Sequence, residues 1–309
     1  MSKVLITGVA GFIGARLANK LISENYEIIG IDNFDSNLYS CAEKKKRVAQ
    51  LQKFKNFEFI EKSILNINEL KEISEIEMIF HLAALPGQTL SWNKAQLYFE
   101  VNTAGTYEML NFAQQNEINK FVFFSTSSVY GNKAIGNERT EKNPISPYGI
   151  SKLAAEQIVS TFQSGKIQTV IIRPFSVYGP GQRPDMAISK FLNAINNEEI
   201  IHIYGDGEQI RDCTFVDDLV DLNISLLNNW QMNETFNVSG GVSVTLNEII
   251  EICEQVVGKT AKKIFEPKQR GDQQITKADC LKAKNLLNYK PSTSIFDGIE
   301  RQYLQMLNK

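Results

Sequence analysis

With 309 residues the chain can form one large domain or two smaller ones around a core that needs no disulfide or metal support. Its 43% hydrophobic and 22% charged content and net charge of −2 are ordinary globular values, and they give no electrostatic reason for a nucleic-acid or anionic-membrane partner. The four scattered cysteines (Cys41, Cys213, Cys253, Cys280) form no CxxC pair, and two histidines (His81, His202) inside apolar runs cannot build a metal cluster. No run approaches the roughly 18 apolar residues of a membrane span, and Val4–Thr7 is too short for a signal-peptide core. The expectation is a cytoplasmic protein without structural metal.

The first strand is predicted at Lys3–Thr7. It runs into Thr7-Gly8-Val9-Ala10-Gly11-Phe12-Ile13-Gly14, and a helix follows on the spacing of Ile13, Leu17 and Leu21. Gly8 suits a tight turn, Gly11 a close approach of backbone N–H groups to a pyrophosphate, and Gly14 close helix–strand packing. A glycine triplet alone is weak, but here it lies between strand and helix, where the helix N-terminus faces an anion. Asp32 ends the second strand (Glu27–Ile31) at the distance expected for a ribose ligand, so NAD is favoured over NADP; the plainer reading is a turn-initiating Asp before Asn33. The run Lys44-Lys45-Lys46-Arg47 reads as a solvated helix face.

Further strands are predicted at Phe57–Ile60, Met78–Leu82, Phe121–Ser125 and Thr169–Arg173, with helical spacing at Ala95, Phe99 and Leu110. The alternation predicts an α/β fold, a Rossmann-type doubly wound parallel sheet with ligands at the carboxyl ends of its strands. Tyr148 and Lys152 lie four apart on one helix face, about twenty residues after Ser125-Thr126-Ser127-Ser128. With ten tyrosines, roughly one such pair arises by chance, so the plain alternative is a surface Tyr beside a solvated Lys; the position after the fifth strand is what gives the pair weight.

After Arg173 the rhythm breaks at Pro174, Gly179-Pro180-Gly181 and Pro184. A helix at Ala187–Ile195, a strand at Ile200–Tyr204, a turn at Gly205-Asp206-Gly207, a helix at Val216–Leu227, a strand at Thr235–Val238 and a helix at Leu246–Val256 follow. Residues 1–173 are thus expected to bind the dinucleotide, with segments near 214–240 returning to that unit. Residues 174–309 are expected to form mainly a smaller mixed α/β substrate domain.

Taken together, the glycine loop, Asp32, Phe80-His81-Leu82-Ala83-Ala84, Ser125–Gly131, Tyr148/Lys152, Arg173-Pro174, Val177-Tyr178-Gly179-Pro180, Tyr204-Gly205-Asp206-Gly207, Arg211-Asp212 and Arg270-Gly271-Asp272 resemble the extended short-chain dehydrogenase/reductases of the NAD-dependent sugar epimerase/dehydratase family. The resemblance spans almost the whole chain. It implies NAD as cofactor, a UDP-sugar as substrate, and 4-epimerisation by transient oxidation at C4, with Tyr148 as base, Lys152 and the nicotinamide charge together lowering its pKa and Thr126 bonding the same sugar oxygen. It further implies cofactor contacts from Gly8, Gly11, Phe12, Ile13, Gly14, Asp32, Asn33, Ser63, Ile64, Leu82, Ala83, Ala84 and Asn102. Arg211 and Arg270 would hold the diphosphate and Asp272 the uridine ribose, with Pro86, Ser127, Ser128, Ser176, Arg183 and Tyr204 completing the substrate set.

In similar 4,6-dehydratases an Asp-Glu pair follows the equivalent of Thr126, and decarboxylating relatives carry a Glu at its second position; here Ser127 and Ser128 are too weakly acidic for either task. Ser176, the Gly181-Gln182-Arg183-Pro184-Asp185-Met186 segment and the helix bearing Lys45, Arg47 and Leu51 are similar to UDP-glucuronate 4-epimerases. The alternatives are a UDP-glucose or UDP-N-acetylglucosamine 4-epimerase, or an NAD-binding regulator that has kept the fold. Two departures stand out: Gly87-Gln88-Thr89 replaces a Gly-Val-Arg of the uronate group, and Ser63 replaces an adenine-binding Asp. In relatives the helices corresponding to Ala95–Gln114 and Ser151–Phe162 pair into a dimeric four-helix bundle, which implies a homodimer.

Overall fold

Strand β1 (Lys3–Thr7) passes through the glycine-rich turn into helix α1 (Phe12–Ser23), and the alternation continues through β2 (Glu27–Asp32), α2 (Cys41–Leu51), β3 (Phe57–Glu61) and β4 (Ile76–His81). The computed structural model describes residues 2–70, 73, 75–163 and 165–308. After the short α3 (Gln88–Ser91), the helix α4 (Ala95–Phe99), a π-helical turn (Glu100–Ala104) and α5 (Gly105–Gln115) form one continuous helical rod. Then come β5 (Lys120–Phe124), β6 (Lys133–Gly136), α6 (Pro147–Phe162), β7 (Gln168–Pro174) and β8 (Val177–Tyr178). The last third holds α7 (Ala187–Asn196), β9 (Ile200–Tyr204), β10 (Ile210–Asp212), β11 (Thr214–Phe215), α8 (Val216–Asn228), β12 (Glu234–Val238), β13 (Ser243–Thr245), α9 (Leu246–Val257), β14 (Lys262–Glu266), β15 (Ile275–Ala278), α10 (Leu281–Leu287) and α11 (Ile295–Leu307).

Seven parallel strands build the main sheet in the order β12-β7-β5-β4-β1-β2-β3. The order reverses between β1 and β4, so the crevice at their carboxyl ends is the topological switch point of this Rossmann-type sheet. Because a strand's side chains alternate, Val4 and Ile6 of β1 enter a core with Leu17, Leu21, Leu219, Leu222 and Phe236, on the side of α1 and α8. Leu5 points the other way, into a core with Met109, Leu110, Ala113, Ala155 and Val159 of α5 and α6. Burial on both faces explains why these strands read as continuous apolar runs rather than alternating ones.

A third core joins Phe191 and Leu192 of α7, Ile203 of β9, Ile249 and Ile250 of α9, and Ile299 of α11. Two small sheets belong to this region, β13-β10-β15-β6 and β14-β9. Strand β6 comes from the first half of the chain, and β12 of the second half completes the large sheet.

The sequence-predicted strand starts are close to those observed, although β4 begins two residues earlier, at Ile76. The solvated face expected at Lys44–Arg47 requires correction. Lys45 and Lys46 are exposed, whereas Lys44 and Arg47 are half-buried, because Lys44 Nζ donates to Asp35 O at 2.7 Å and Arg47 reaches across to two other loops. The three cysteines of the second half are buried, and Cys41 is half-buried. Among the described residues there is no metal-binding cluster, and no helix is long and apolar enough to cross a membrane.

Candidate active site

The site is assembled from the carboxyl ends of β1, β2, β4, β5 and β7 and the loops that leave them. At the end of β1 the chain turns through Gly8 with φ +70°, and a Cβ there would stand 2.8 Å from Ala83 N. Only glycine lets the turn pack against the loop leaving β4. Gly11 caps α1 without any side-chain bond, and no acidic residue lies in the first turn, so the N–H groups of Phe12, Ile13 and Gly14 meet no carboxylate. These three free N–H groups and the positive end of the helix dipole make this terminus an anion site that fits the pyrophosphate of NAD.

Asp32 is buried at the end of β2, accepting from Ala10 N (3.2 Å) and Phe34 N (2.8 Å). Burial raises its pKa, while Lys44 and the two backbone bonds pull it down. Each of its oxygens has a lone pair left for a hydroxyl donor, and its charge opposes an added phosphate. Asn33 is exposed, with its amide oxygen taken by Asp35 N (3.2 Å). Ser63 caps the 3₁₀ turn Ile64–Glu69 through Leu65 N (3.3 Å). Ile64 is buried, and the absence of a Cβ at Gly105 makes room for it.

Half-buried Leu82, Ala83 and Ala84 follow β4, with Leu82 N and Ala83 N bonded to Thr7 O and Oγ1, each at 3.2 Å. Buried His81 lies between Thr7 Oγ1 (2.7 Å) and Thr106 Oγ1 (3.1 Å), and burial lowers its pKa to about 3. Thr106 gives its proton to Asn102 O (2.7 Å), so the neutral ring donates from Nε2 and accepts at Nδ1. Asn102, in the π-helical turn, accepts from Leu85 N (2.7 Å) and donates to Leu85 O and Ser151 Oγ, each at 3.0 Å. With both amide hydrogens spent, it braces the β4 loop against α6.

The loop after β5 carries the hydroxyl groups. Thr126 caps a short 3₁₀ turn by accepting from Ser128 N (3.1 Å), and its Oγ1 lies 3.2 Å from Ser128 Oγ; Thr126, Ser127 and Ser128 are all buried. A Cβ at Gly149 would sit 2.8 Å from Ser128 O, so glycine beside Tyr148 is what brings α6 against this turn. Ser146 caps α6 through Gly149 N (3.2 Å), and Pro147 occupies the first turn.

Tyr148 and Lys152 then share one face of α6. Burial pushes the Tyr148 phenol up, opposed by a hydrogen bond with Thr126 and the charge of Arg183. Lys152 is 2% exposed, its Nζ stands 4.1 Å from the centre of the Phe123 ring, and burial lowers its pKa to about 7 against the pull of Glu156. The expected lowering of the Tyr148 pKa takes Lys152 and the nicotinamide charge together, and the chain alone carries only the first of them. Burial wins at both groups, leaving a phenol above its usual range and an amine that titrates near neutrality.

Glu156, one turn beyond Lys152, is gripped by Arg173 through Nε (2.8 Å) and Nη2 (2.6 Å), and Ser125 Oγ also donates to it. Arg173 donates to Tyr130 Oη (2.7 Å), which donates to Asn237 Oδ1 (2.7 Å). This buried network ties α6, the hydroxyl turn, β7 and β12 together. Sequence reasoning singled out Arg173 but missed Glu156, although its place four residues after Lys152 on the same helix face was a legible signal.

On the substrate side Pro86 O accepts from Tyr98 Oη (3.0 Å), and the rings of Tyr98 and Tyr148 meet edge to face at 6.1 Å. Arg183 forms a two-point pair with Asp185 (2.9 and 2.6 Å). Ser176 is half-buried between β7 and β8, and its carbonyl accepts from Thr214 N (3.1 Å). Arg211 Nη2 donates to Asp272 Oδ1 (2.7 Å), and Arg270 lies over the Trp92 ring at 3.7 Å from its centre. Tyr204 is exposed at the end of β9.

Contacts that the sequence did not reveal connect this group to the hydroxyl turn. Gln88 Nε2 reaches Ser128 Oγ and Gln273 Oε1, each at 3.4 Å, and Gln273 Nε2 donates to Gly131 O (2.7 Å). Thr89 Oγ1 donates to Gln269 Oε1 (3.3 Å). The buried Gln88 Oε1 and Trp92 Nε1 have no partner within the chain. Each such atom costs about 1–3 kcal/mol; Asp212 Oδ1 and Asn223 Oδ1, elsewhere among the described residues, are likewise without a partner.

Comparison with known proteins agrees with this geometry. The pattern of the "NAD dependent epimerase/dehydratase family" matches residues 4–239. A Bacillus subtilis (strain 168) protein described as an uncharacterized UDP-glucose epimerase, YtcB, is 37% identical over 99% of this chain and 98% of its own length. A UDP-glucuronate 4-epimerase of Thermodesulfobacterium geofontis (strain OPF15) is 37% identical over 97% of this chain and 95% of its own. The crystal structure of a Bacillus cereus UDP-glucuronic acid 4-epimerase in complex with UDP-glucuronic acid and NAD superposes with a TM-score of 0.94, at 35% identity and 99% coverage of both chains.

Proposed function

The chain belongs to the NAD dependent epimerase/dehydratase family, and from that premise we propose that it interconverts UDP-glucuronate and UDP-galacturonate by 4-epimerisation. The observation that carries the uronate reading is the buried turn of hydroxyls, Thr126, Ser127 and Ser128, with Thr126 bonded to Tyr148, whose phenol also feels the charge of Arg183. When bound, NAD supplies a hydride acceptor and donor at C4 of the sugar. The glycine loop, α1 and Asp32 hold it, with Asn33, Ser63, Ile64 and residues 82–84 around it and Asn102 bracing the loop behind.

Tyr148 takes the proton of the C4 hydroxyl as the ketone forms and returns it when the ketone is reduced on its other face. Its raised pKa must fall for this; a protonated Lys152 on the same face of α6 would supply part of the pull, and the nicotinamide charge of bound NAD would supply the rest. Thr126, already bonded to Tyr148, orients the same sugar oxygen. Arg211 and Arg270 hold the diphosphate and Asp272 the ribose. The Arg211–Asp272 pair and the Trp92 stack order these side chains before the nucleotide arrives.

Ser127 and Ser128 lack the acidity needed to drive elimination, which leaves epimerisation. Their hydroxyls, with those of Thr126 and Ser176, suit a C5 carboxylate. A 4-keto uronate is a β-keto acid that loses CO₂ when its carboxylate lies across the carbonyl π-system, and hydroxyl donors hold the group out of that alignment. Residues 1–173 with 214–240 bind NAD in this reading, and residues 174–309 mainly bind the UDP-sugar. Exposed Phe99, Tyr107 and Ile150 on the 95–115 rod and α6 support a homodimer built on these helices.

The test is kcat/KM for UDP-glucuronate and UDP-glucose under identical conditions, with product analysis. We expect a preference of tenfold or more for the uronate, since one hydrogen bond to a charged group contributes about 1.5–3 kcal/mol. A preference for UDP-glucose or UDP-N-acetylglucosamine would establish the second reading, which the description of the B. subtilis relative favours, and would leave the epimerase mechanism standing.

A further inference from the structure

The motif that the sequence reading set aside as a solvated basic face contains a side chain with an unusual position. Arg47 projects from α2 into the space between three separate segments. Its Nη1 donates to Ala10 O of the glycine loop (3.0 Å) and to Tyr39 Oη (3.1 Å), and its Nη2 donates to Gly181 O (3.0 Å). Tyr39 lies in the segment between β2 and α2. That segment is also fastened by Lys44 to Asp35 O (2.7 Å) and by Lys94 to Asn37 Oδ1 (2.6 Å). Gly181 opens the run that leads to Arg183, and it lies so close to α1 that a Cβ built on it would be 3.7 Å from the Phe12 ring. One guanidinium therefore bolts the floor of the cofactor site to the segment that carries a substrate-side arginine.

The choice of acceptors matters. All three are uncharged, so the guanidinium keeps its positive charge unneutralised by these bonds, beside the helix terminus that suits a pyrophosphate. A planar fork with several N–H groups can bridge two carbonyls at once, which a lysine ammonium on a single stem does poorly.

An epimerase that oxidises and then reduces the same sugar has a specific need for such a bolt. The reduced cofactor must remain until the hydride is given back. If it leaves, the ketone is stranded and the enzyme is left without a reductant. Release must therefore be far slower than turnover, unlike in a dehydrogenase that exchanges cofactor in every cycle. We infer that Arg47 is a retention clamp for NAD: a positioning residue that keeps the glycine loop and the 181–186 segment closed over the cofactor between turnovers. The inference rests on the NAD-epimerase reading above.

The test measures NAD release without any sugar. Wild-type protein and the variants Arg47→Met and Arg47→Lys are saturated with NAD, desalted, and diluted into a scavenging NAD glycohydrolase; remaining bound NAD is followed by chromatography of denatured samples. Loss of three hydrogen bonds predicts NAD release at least about tenfold faster from Arg47→Met, and Arg47→Lys, which keeps the charge but not the bridge, also releases faster than wild type. Turnover of Arg47→Met should return towards the wild-type value when free NAD is supplied in excess, a rescue that a damaged fold would not show. Unchanged release from Arg47→Met, or release from Arg47→Lys equal to wild type, overturns the clamp while leaving the epimerase reading intact. Wild-type protein that binds no NAD overturns both.

Discussion

Replacing Lys152 with methionine should change the pH dependence of stability in a way that reports directly on the buried amine. Its pKa falls from the ordinary 10.5 to about 7, because burial disfavours the ammonium more than Glu156 favours it. The folded value lies below the unfolded one, so between pH 7 and 10.5 the unfolded chain binds the extra proton and stability rises with pH. Below pH 7 both states are protonated and the full cost, about 5 kcal/mol at 1.36 kcal/mol per unit, is borne by the fold. Methionine is one atom shorter, unbranched and apolar, and has no proton to lose. In nucleotide-free protein, Lys152→Met should gain on wild type at pH 7.5, and the gap should close by about 2.5 kcal/mol by pH 9.5. For a chain of this size that is a relative shift of about 4 °C in Tm, readable by thermal melts of both proteins across the pH series. Other groups that titrate in this range are common to both proteins and cancel in the difference. Melting curves that keep a constant separation from pH 7.5 to 9.5 would show that the amine is ordinarily solvated, and the account of Lys152 as a desolvated partner of the cofactor would go with them.

Tyr148→Phe should lower turnover at least 100-fold, the lower end for loss of a general acid–base group, while NAD content stays normal; near-normal turnover would remove Tyr148 from the mechanism. Direct titration should show far tighter binding of NAD than of NADP, because Asp32 opposes a 2′-phosphate, and Asp32→Ser should narrow the difference; equal affinities for wild type would refute that role. Glu156→Gln should destabilise the protein by about 3–5 kcal/mol by leaving the Arg173 charge buried and unpaired, and adding Arg173→Met should recover part of the loss. If the single variant melts like wild type, the network is not what ties α6 to β7.

Much of the fold was legible because its main strands are buried on both faces and so stand out as apolar runs between helices of clear period. The strands that escaped notice, β6, β8, β10, β11, β13, β14 and β15, are two to five residues long and draw their partners from distant parts of the chain. No local pattern announces such pairings. The candidate site divides in the same way. Gly8, Asp32, Tyr148 and Lys152 are fixed by spacing within one βα unit or one helix, and a sequence carries spacing. The contacts of Gln88 with Gln273, Trp92 with Arg270 and Arg47 with Gly181 span 134 to 185 residues, and only folding brings them together. The misjudged face of α2 has the same cause: a run of four basic residues shows charge, but not that two of the four turn inward to meet carbonyls.

The π-helical turn at Glu100–Ala104 sets a phase difference between the two halves of one rod. An extra residue in a helical turn advances everything beyond it by about 100°. On the near side of that offset Tyr98 meets the edge of Tyr148, and on the far side Met109, Leu110 and Ala113 face the sheet. Within it, Asn102 is aimed at Leu85 and Ser151. Removing one residue here would leave a more regular helix that could serve only one of these alignments. Insertions and deletions in this stretch should thus be far less tolerated than its mixture of polar and small residues suggests. An attempt to stabilise the protein by making its helices ideal would erase the offset that times the site to the core.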